Sequence, residues 1–382
     1  MSKQHRVMFL LRRLDLNDGV SSHLDTLCGE LASRGHAAMI LSGPVSGQET
    51  MAERLERLRS ATERIDAVNS HGLFRSLLPA GLKAARAFKP TVIHAHGLSA
   101  SALGRVLSWI SGAPLVTTSH VLIDQPRRSQ RVKAGLLARM MPSDRMIAIS
   151  SALQSYFADT LGVRSSRIDL IPNGIRSDDY TIPTPSQRSA AREAFGLTAE
   201  ALVCVLPGRL DRTKGHHIAV EAIRRLGKER PVVCLFPGSG DGADEIIRHA
   251  LVTDRDRERF RFLGQLPNLR AVFQAADVLL LPSHNEGFAL VVVEAMLSGC
   301  VPVRTPSAGA SDQIEDGVGG FIVPFADPTA LADRIERLFD PDLRHRLADA
   351  AHARARREFT ADVMTVRTLR TYDMAIVAGA GR

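Results

Sequence analysis

Short apolar runs bounded by glycine, proline or serine alternate with longer amphipathic stretches along almost the whole chain. That alternation limits the possible folds more than any other feature. RVMFLL opens the series as a strand, HLDTLCGELASRG (23–35) has helical apolar spacing and a glycine stop, and AAMILSG is a strand again. MAERLERLRSATERI (51–65) reads as a charged amphipathic helix and LLPAGLKAARAFKP as a helix, while TVIHAHG, APLVTTSH and MIAISS read as strands. A second series begins at ALVCVLPG (201–208). It continues through helix HHIAVEAIRRLG, strands VVCLFPG and RFRFLG, helix LRAVFQAA, and strands VLLLPS and VPVRT. Strands alternating with helices predict a parallel, doubly wound sheet.

Two such series in 382 residues predict two Rossmann-like α/β domains facing a cleft, with a ligand expected between them. The expected divisions are 1–172, a linker at 173–187, a second domain at 188–358, and a C-terminal helix at about 359–382. IPNGI followed by SDDYTIPTPSQ (171–187) is rich in Pro, Asn and Ser and marks the linker.

Composition excludes several classes. A hydrophobic share of 45% with 24% charged residues fits a globular chain with a sizeable core. The four cysteines, Cys28, Cys204, Cys234 and Cys300, are scattered without a CxxC, which predicts buried thiols in a reducing compartment rather than disulfides or a zinc site. VMFLL is too short for a signal core and no stretch reaches the length of a membrane span, so a cytoplasmic location is expected.

The net charge of +8 is uneven: residues 1–175 carry 22 basic and 13 acidic side chains, and the remainder is close to neutral. Arg54, Arg57, Arg59 and Arg64 share one stretch, and Arg127, Arg128, Arg131 and Lys133 another. An anionic acceptor, or peripheral contact with the inner face of an anionic membrane, is therefore expected; each charge near such a surface contributes about 1 kcal/mol. Glu53, Glu56 and Glu63 offer local pairing as the alternative. No nucleic-acid partner is expected, because the three Tyr and one Trp are scattered and no nucleic-acid motif is present.

The stretch HNEGFALVVVEAMLSGCVPV (284–303) carries the densest chemistry. VLLLPS before it reads as a central strand, Glu286 falls in the loop at that strand's carboxyl end, and Phe288 to Leu297 reads as a helix holding Glu294. Ligands of open α/β sheets sit at the carboxyl ends of strands, where a helix amino end favours an anion. Carboxylates there are poor phosphate ligands but good acceptors for hydroxyls, so a ligand with both phosphate and hydroxyls is indicated. PGRLDRTKG (207–215) also lies between a strand and a helix. Arg209 and Lys214 there can converge on a diphosphate, with Gly208 and Gly215 allowing close backbone approach.

Taken together, GRLDRTKG, HNEGFALVVVEAM with its Glu-x7-Glu spacing, and DGVGGFIVP (316–324) resemble the retaining glycosyltransferases of family four, which have the GT-B fold. IPNG (171–174), VIHAHG, TTSH and AISSAL match weaker patterns, so the resemblance covers nearly the whole chain and is strongest from Pro207 to Pro324. It implies that Arg209 and Lys214 hold the donor diphosphate, that Glu294 bonds the ribose, and that Glu286 contacts the donor sugar. Backbone N–H groups of Gly287, Phe288, Ala289 and Leu290 would lie near the phosphates, and His120 near the reacting sugar carbon. Gly19 would lie in a first loop, DLNDGVSSH, that approaches donor and acceptor, and Gly208 in the donor loop. The C-terminal helix would cross back to the first domain.

The sequence departs from the family at Ala289 and Asp312 and in the first loop, which has one glycine where the family often has two. The implied activity is transfer of a sugar from a nucleoside-diphosphate sugar, UDP ahead of GDP, to an acceptor hydroxyl. The acceptor would be a cell-envelope glycan, a lipid-linked acceptor or a small molecule of secondary metabolism. A sugar-nucleotide epimerase, a phosphorylase or a binding protein are the competing readings.

No metal and no cofactor are expected. Asp254-Arg255-Asp256 lies in a charged run and reads as a solvated face. His94-x-His96 lacks a third ligand nearby in sequence; His94 reads as buried in its strand and His96 as facing a crevice at its end. His216 and His217 read as structural. Arg and Lys side chains with a helix dipole would then stabilise the departing phosphate.

Overall fold

The computed structural model describes residues 4–16, 18–46, 52–68, 77–120, 135, 142–227 and 229–380. The cluster Arg127, Arg128, Arg131 and Lys133, and the side chain of Arg54, lie outside the described residues. The chain forms two compact units, Met1–Gly174 with Ala361–Arg382, and Ile175–Thr360.

In the first unit the elements are β1 (Arg6–Leu11), α1 (Gly19–Ser33), β2 (Ala37–Ser42), α2 (Ala52–Ser60), β3 (Arg64–Ala67), α3 (Leu77–Phe88), β4 (Val92–His96), α4 (Leu98–Ser111), β5 (Leu115–Ser119), β6 (Arg145–Ala148) and β7 (Ile168–Leu170). The strands pair in parallel in the order β3-β2-β1-β4-β5-β6-β7. Val7 to Leu11 are buried throughout, because helices cover both faces of a parallel sheet and leave no side for polar residues. One core cluster joins α1 to β1, and the other joins β1 and β2 to α3 and α4.

The second unit contains α5 (Pro185–Ala194), β8 (Leu202–Val205), α6 (His216–Arg225), β9 (Val232–Pro237), α7 (Asp254–Arg259), β10 (Phe260–Gly264), β11 (Val278–Leu281), α8 (Leu290–Leu297), β12 (Val301–Arg304) and β13 (Phe321–Ile322). Its sheet order is β10-β9-β8-β11-β12-β13, again parallel. The final helix, α9 (Ala361–Ala380), belongs to the first unit, where Met364, Tyr372 and Ala375 join the core beside α1.

Several boundaries differ from the sequence reading, each for a local reason. The helix expected over 51–65 ends at Ser60, and Arg64–Ala67 becomes edge strand β3 because Ile65 pairs with Ile40 of β2. Part of the expected linker is helical: Thr184 and Gln187 form a capping box, with Pro185 at the first helical position, where its missing N–H is no loss. Gly19 is not in a loop but opens α1, whose cap is Asp18 accepting from the Ser21 N–H. α8 starts at Leu290, so Phe288 and Ala289 precede it.

The acidic run at 254–256 is not a solvated face throughout. Asp256 is buried; it closes a capping box with Thr253 and pairs with Arg224 at 3.0 Å, while Asp254 points to solvent. All four cysteines are buried and free. Among the described residues no helix is long and apolar enough to cross a membrane.

Candidate functional site

In both sheets the chain leaves the central strand in opposite directions at one place, between β8 and β11 in the second unit and between β1 and β4 in the first. In open α/β sheets such a place forms the ligand crevice, at the carboxyl ends of the strands.

In the second unit the flanking loops are Leu206–Gly215 after β8 and Pro282–Ala289 after β11. They are locked to each other. Gly215 has a positive φ of 74°, and a Cβ there would stand 2.3 Å from the Pro282 carbonyl, so no other residue fits. The His284 N–H donates to the Thr213 carbonyl at 2.9 Å. The turn after β9 approaches just as closely, since a Cβ on Gly238 would stand 1.9 Å from the carbonyl oxygen of Gly208.

This frame brings Lys214 and Glu286 together: Lys214 Nζ donates to Glu286 Oε1 at 2.7 Å, with both side chains largely shielded from solvent. Arg209 does not converge with Lys214. Its guanidinium lies 3.2 Å from Asp211, which also caps the Arg212–Lys214 turn, and its side chain is 76% exposed. Gly287 supplies a carbonyl 2.9 Å from where a Cβ on Gly309 would stand. Phe288 is buried edge-on against Phe359, and Ala289 accepts from Gln313 Nε2 at 2.7 Å. Leu290 is the first residue of α8, whose amino end therefore faces this loop.

Glu294 lies in the second turn of α8 and is half-buried. Its partner is Tyr180, whose phenol, raised by burial and then by the Glu294 charge, hydrogen-bonds the carboxylate and packs edge-on against Phe273. Sequence reading missed Tyr180 because it sits in the segment read as linker. An aromatic residue in a polar stretch was the available signal.

Arg304 was also missed. It ends β12, is fully buried, and donates to Ser307 Oγ at 2.9 Å and to Gln313. Burial lowers its pKa to about 10, against the opposing pull of Glu286 and Asp312, so it remains a cation behind the site. An arginine closing the apolar run VPVR was its signal. The open depression lined by Arg188, Arg192, Asp277 and Arg344 lies at the amino ends of the strands, and its arginines are engaged by Asp277.

In the first unit the corresponding crevice is lined by imidazoles. His94 is buried in β4 as expected; its nitrogens contact Tyr372 Oη and Thr118 Oγ1, each at 2.7 Å, and burial lowers its pKa to about 3. His96 ends β4, and His120 follows β5. His96 Nδ1 and His120 Nε2 lie 2.9 Å apart. Burial, then the neighbouring imidazoles, push both pKa values well down. His23 of α1 joins them, its ring 4.8 Å from that of His120, and burial lowers its pKa to about 4. Gly19 opens the same helix. His216, read as structural, is buried, and burial lowers its pKa to about 4.

The second-unit site thus combines cations and a helix amino end, which suit phosphate, with two carboxylates that suit hydroxyls.

Two family models match the chain: Glycosyltransferase Family 4 over residues 17–179 and Glycosyl transferases group 1 over residues 187–354. The D-inositol 3-phosphate glycosyltransferases of Xylanimonas cellulosilytica and Acidothermus cellulolyticus are each 31% identical over 70% of this chain. The matched stretch spans 68% of the first relative's length and 63% of the second's. The glycogen synthase of Mycobacterium tuberculosis is 27% identical over 93% of this chain and 90% of its own. Among solved structures, Anabaena HepE in complex with UDP-glucose matches with a TM-score of 0.81 at 23% identity, covering 97% of this chain and 100% of that one. A glycosyltransferase from Rickettsia africae matches with a TM-score of 0.82 at 17% identity, covering 98% and 99%.

Proposed function

The chain belongs to the group 1, family 4 glycosyltransferases and has the GT-B fold, and from that membership we propose that it moves a hexose from a UDP-hexose to an acceptor hydroxyl with retention at the anomeric carbon. The observation that carries this reading is the Lys214–Glu286 pair, 2.7 Å apart beside the amino end of α8. Uridine is chosen because the matched Anabaena protein holds UDP-glucose.

In this reading Lys214 and Arg209 hold the diphosphate, Arg209 leaving Asp211 to do so. Gly208 and the N–H groups of Gly287 to Leu290 approach the phosphates. Glu294, steadied by Tyr180, accepts from the ribose hydroxyls, and Glu286 accepts from hydroxyls of the sugar. Gly19 and His120 are assigned to the donor as well, His120 to the neighbourhood of the anomeric carbon. The bond from that carbon to the β-phosphate oxygen breaks, and the acceptor oxygen bonds on the same face. The acceptor's proton passes to the departing phosphate oxygen. Fixed cations stabilise that oxygen as its charge grows.

The basic first half supports an anionic acceptor, either an envelope glycan or lipid-linked acceptor, or a small phosphorylated polyol. The ion pairs in the first unit favour the small acceptor. Arg57 reaches Asp25 at 3.3 Å, Arg64 reaches Asp66 at 2.7 Å and Arg59 reaches Glu56 at 4.0 Å, so these charges are partly neutralised within the unit. The two relatives named D-inositol 3-phosphate glycosyltransferases point the same way.

A melting screen against UDP, GDP, ADP and their sugars tests the donor. A ligand at about 100 times its Kd adds about 2.7 kcal/mol, so UDP and UDP-hexoses should raise Tm while the others do not. UDP release that depends on added acceptor supports transfer. Release or epimerisation without acceptor supports the epimerase or phosphorylase reading instead. Co-sedimentation with phosphatidylglycerol vesicles at low salt would return the lipid-linked acceptor to first place.

A further inference from the structure

We propose that His23, His96 and His120 form a divalent-metal site of the zinc type at the switch point of the first unit. One ligating nitrogen from each residue can be chosen so that all three lie within 4.8 Å of one another. Tetrahedral zinc with bonds of about 2.0–2.1 Å places its nitrogens roughly 3.3 Å apart. The His96–His120 contact of 2.9 Å needs only a slight opening to reach that spacing, and no pair of the chosen nitrogens exceeds it by more than about 1.5 Å.

A second observation points to a ligand. Neither nitrogen of His23 makes a hydrogen bond of ordinary geometry. Asn173 stands near enough to serve one of them, which leaves the other unpaired at a cost of about 1–3 kcal/mol, and an occupant would relieve it. The donor set suits the metal. Three imidazoles with one open position are a familiar zinc arrangement, and neutral imidazole is the form that binds.

The surroundings fix the geometry. His94, beside His96, has both nitrogens occupied by Tyr372 and Thr118 and is not available as a ligand. Asn173 faces the His23 ring closely enough to hydrogen-bond it, as an outer partner that orients a ligating histidine would. His120 is the half-buried member, so the fourth position opens at its edge. The amino end of α1 opposes a cation. An anionic fourth ligand, such as hydroxide or phosphate, offsets that opposition.

Binding at this site does not depend on the transfer reading. Its consequence does: if His120 lies against the donor sugar, metal that withdraws His120 inhibits transfer. Titration of the metal-free, full-length protein with Co2+ tests the site through the visible absorption of four-coordinate cobalt, with Zn2+ affinity measured against a chromogenic chelator. The expected result is one equivalent bound, with affinity lowered at least about tenfold in His23→Gln and in His96→Gln, and unchanged in His345→Gln, which alters an exposed histidine. Thermal melts of both cluster variants check that they fold, and either folded variant is sufficient. Wild-type binding no tighter than that of the folded cluster variant, or no cobalt absorption, overturns the proposal and leaves a hydrogen-bonded histidine cluster. Stoichiometric binding without inhibition supports the site and removes His120 from the transfer reading. Inhibition without stoichiometric binding overturns the site.

Discussion

The two sheets share one strand order over six strands, yet their switch points are furnished in opposite ways. Between β8 and β11 the loops bring charge: Lys214 against Glu286, Arg209 in solvent, and Arg304 buried behind. Between β1 and β4 the corresponding place holds imidazoles whose pKa values burial has lowered. Topology decides where a ligand can approach, and the loop residues decide what kind of ligand it is. The charged crevice suits a phosphate ester, and the neutral one suits a metal or an uncharged hydroxyl.

Removing charge from the second unit should have the largest effect. Lys214→Ala is expected to lower kcat/KM for donor roughly 10²- to 10³-fold, about 2.7–4 kcal/mol, with a smaller effect on Tm. Steady-state kinetics beside a melting curve measures both. A large fall in Tm with intact turnover of the folded fraction would make Lys214 structural and erase the contrast between the crevices.

Arg304→Met should act on stability instead. It leaves Gln313 and Ser307 without their buried donor and takes a cation from behind Glu286, at a cost of about 3 kcal/mol. Denaturant titration reads that loss, and a value near zero would show the buried charge to be dispensable.

Acid should separate the units next. His23, with a folded pKa of about 4, binds its proton less readily folded than unfolded. Its contribution is full above the unfolded value of 6.5 and is lost as pH falls toward about 4. At pH 5 the loss is roughly 2 kcal/mol. His94, His96 and His120 shift in the same direction, whereas the second unit has His216 and His217. Asp256, lowered to about 2 because hydrogen bonds from Arg224 and Thr253 outweigh the opposing effect of burial, keeps its contribution until pH falls below the usual carboxylate range. Hydrogen exchange at pH 5 with chelator present should therefore quicken in β4 before β11. The reverse order would mean that the neutral crevice is not the acid-sensitive one.

The apolar runs were legible because a strand buried on both faces must be apolar, and nearly every one became a strand where expected. Charged segments were less legible. Arg64 and Ile65 were read as the end of a helix because the edge position of Arg64–Ala67, set by pairing with β2, is a property of the sheet rather than of those residues. The Glu286 and Lys214 pairing was reachable only in part: each loop pointed to the same ligand, but their 2.7 Å contact depends on Gly215 seating against Pro282. Tyr180 and the histidine cluster stayed hidden because their partners are far away in sequence. His23, His96 and His120 come from a helix and the ends of two strands, and only the sheet order makes them neighbours.

The division of labour between Glu286 and Glu294 is the central claim. UDP binding and turnover in Glu286→Ala and Glu294→Ala, measured side by side by calorimetry and steady-state kinetics, test it most directly. Glu294→Ala should weaken UDP about tenfold, roughly 1.4 kcal/mol, by removing the ribose acceptor that Tyr180 steadies. Glu286→Ala should hold UDP within about twofold while kcat falls about a hundredfold, because the carboxylate is assigned to the transferred sugar. Equal loss of UDP affinity in the two variants would contradict the assignment.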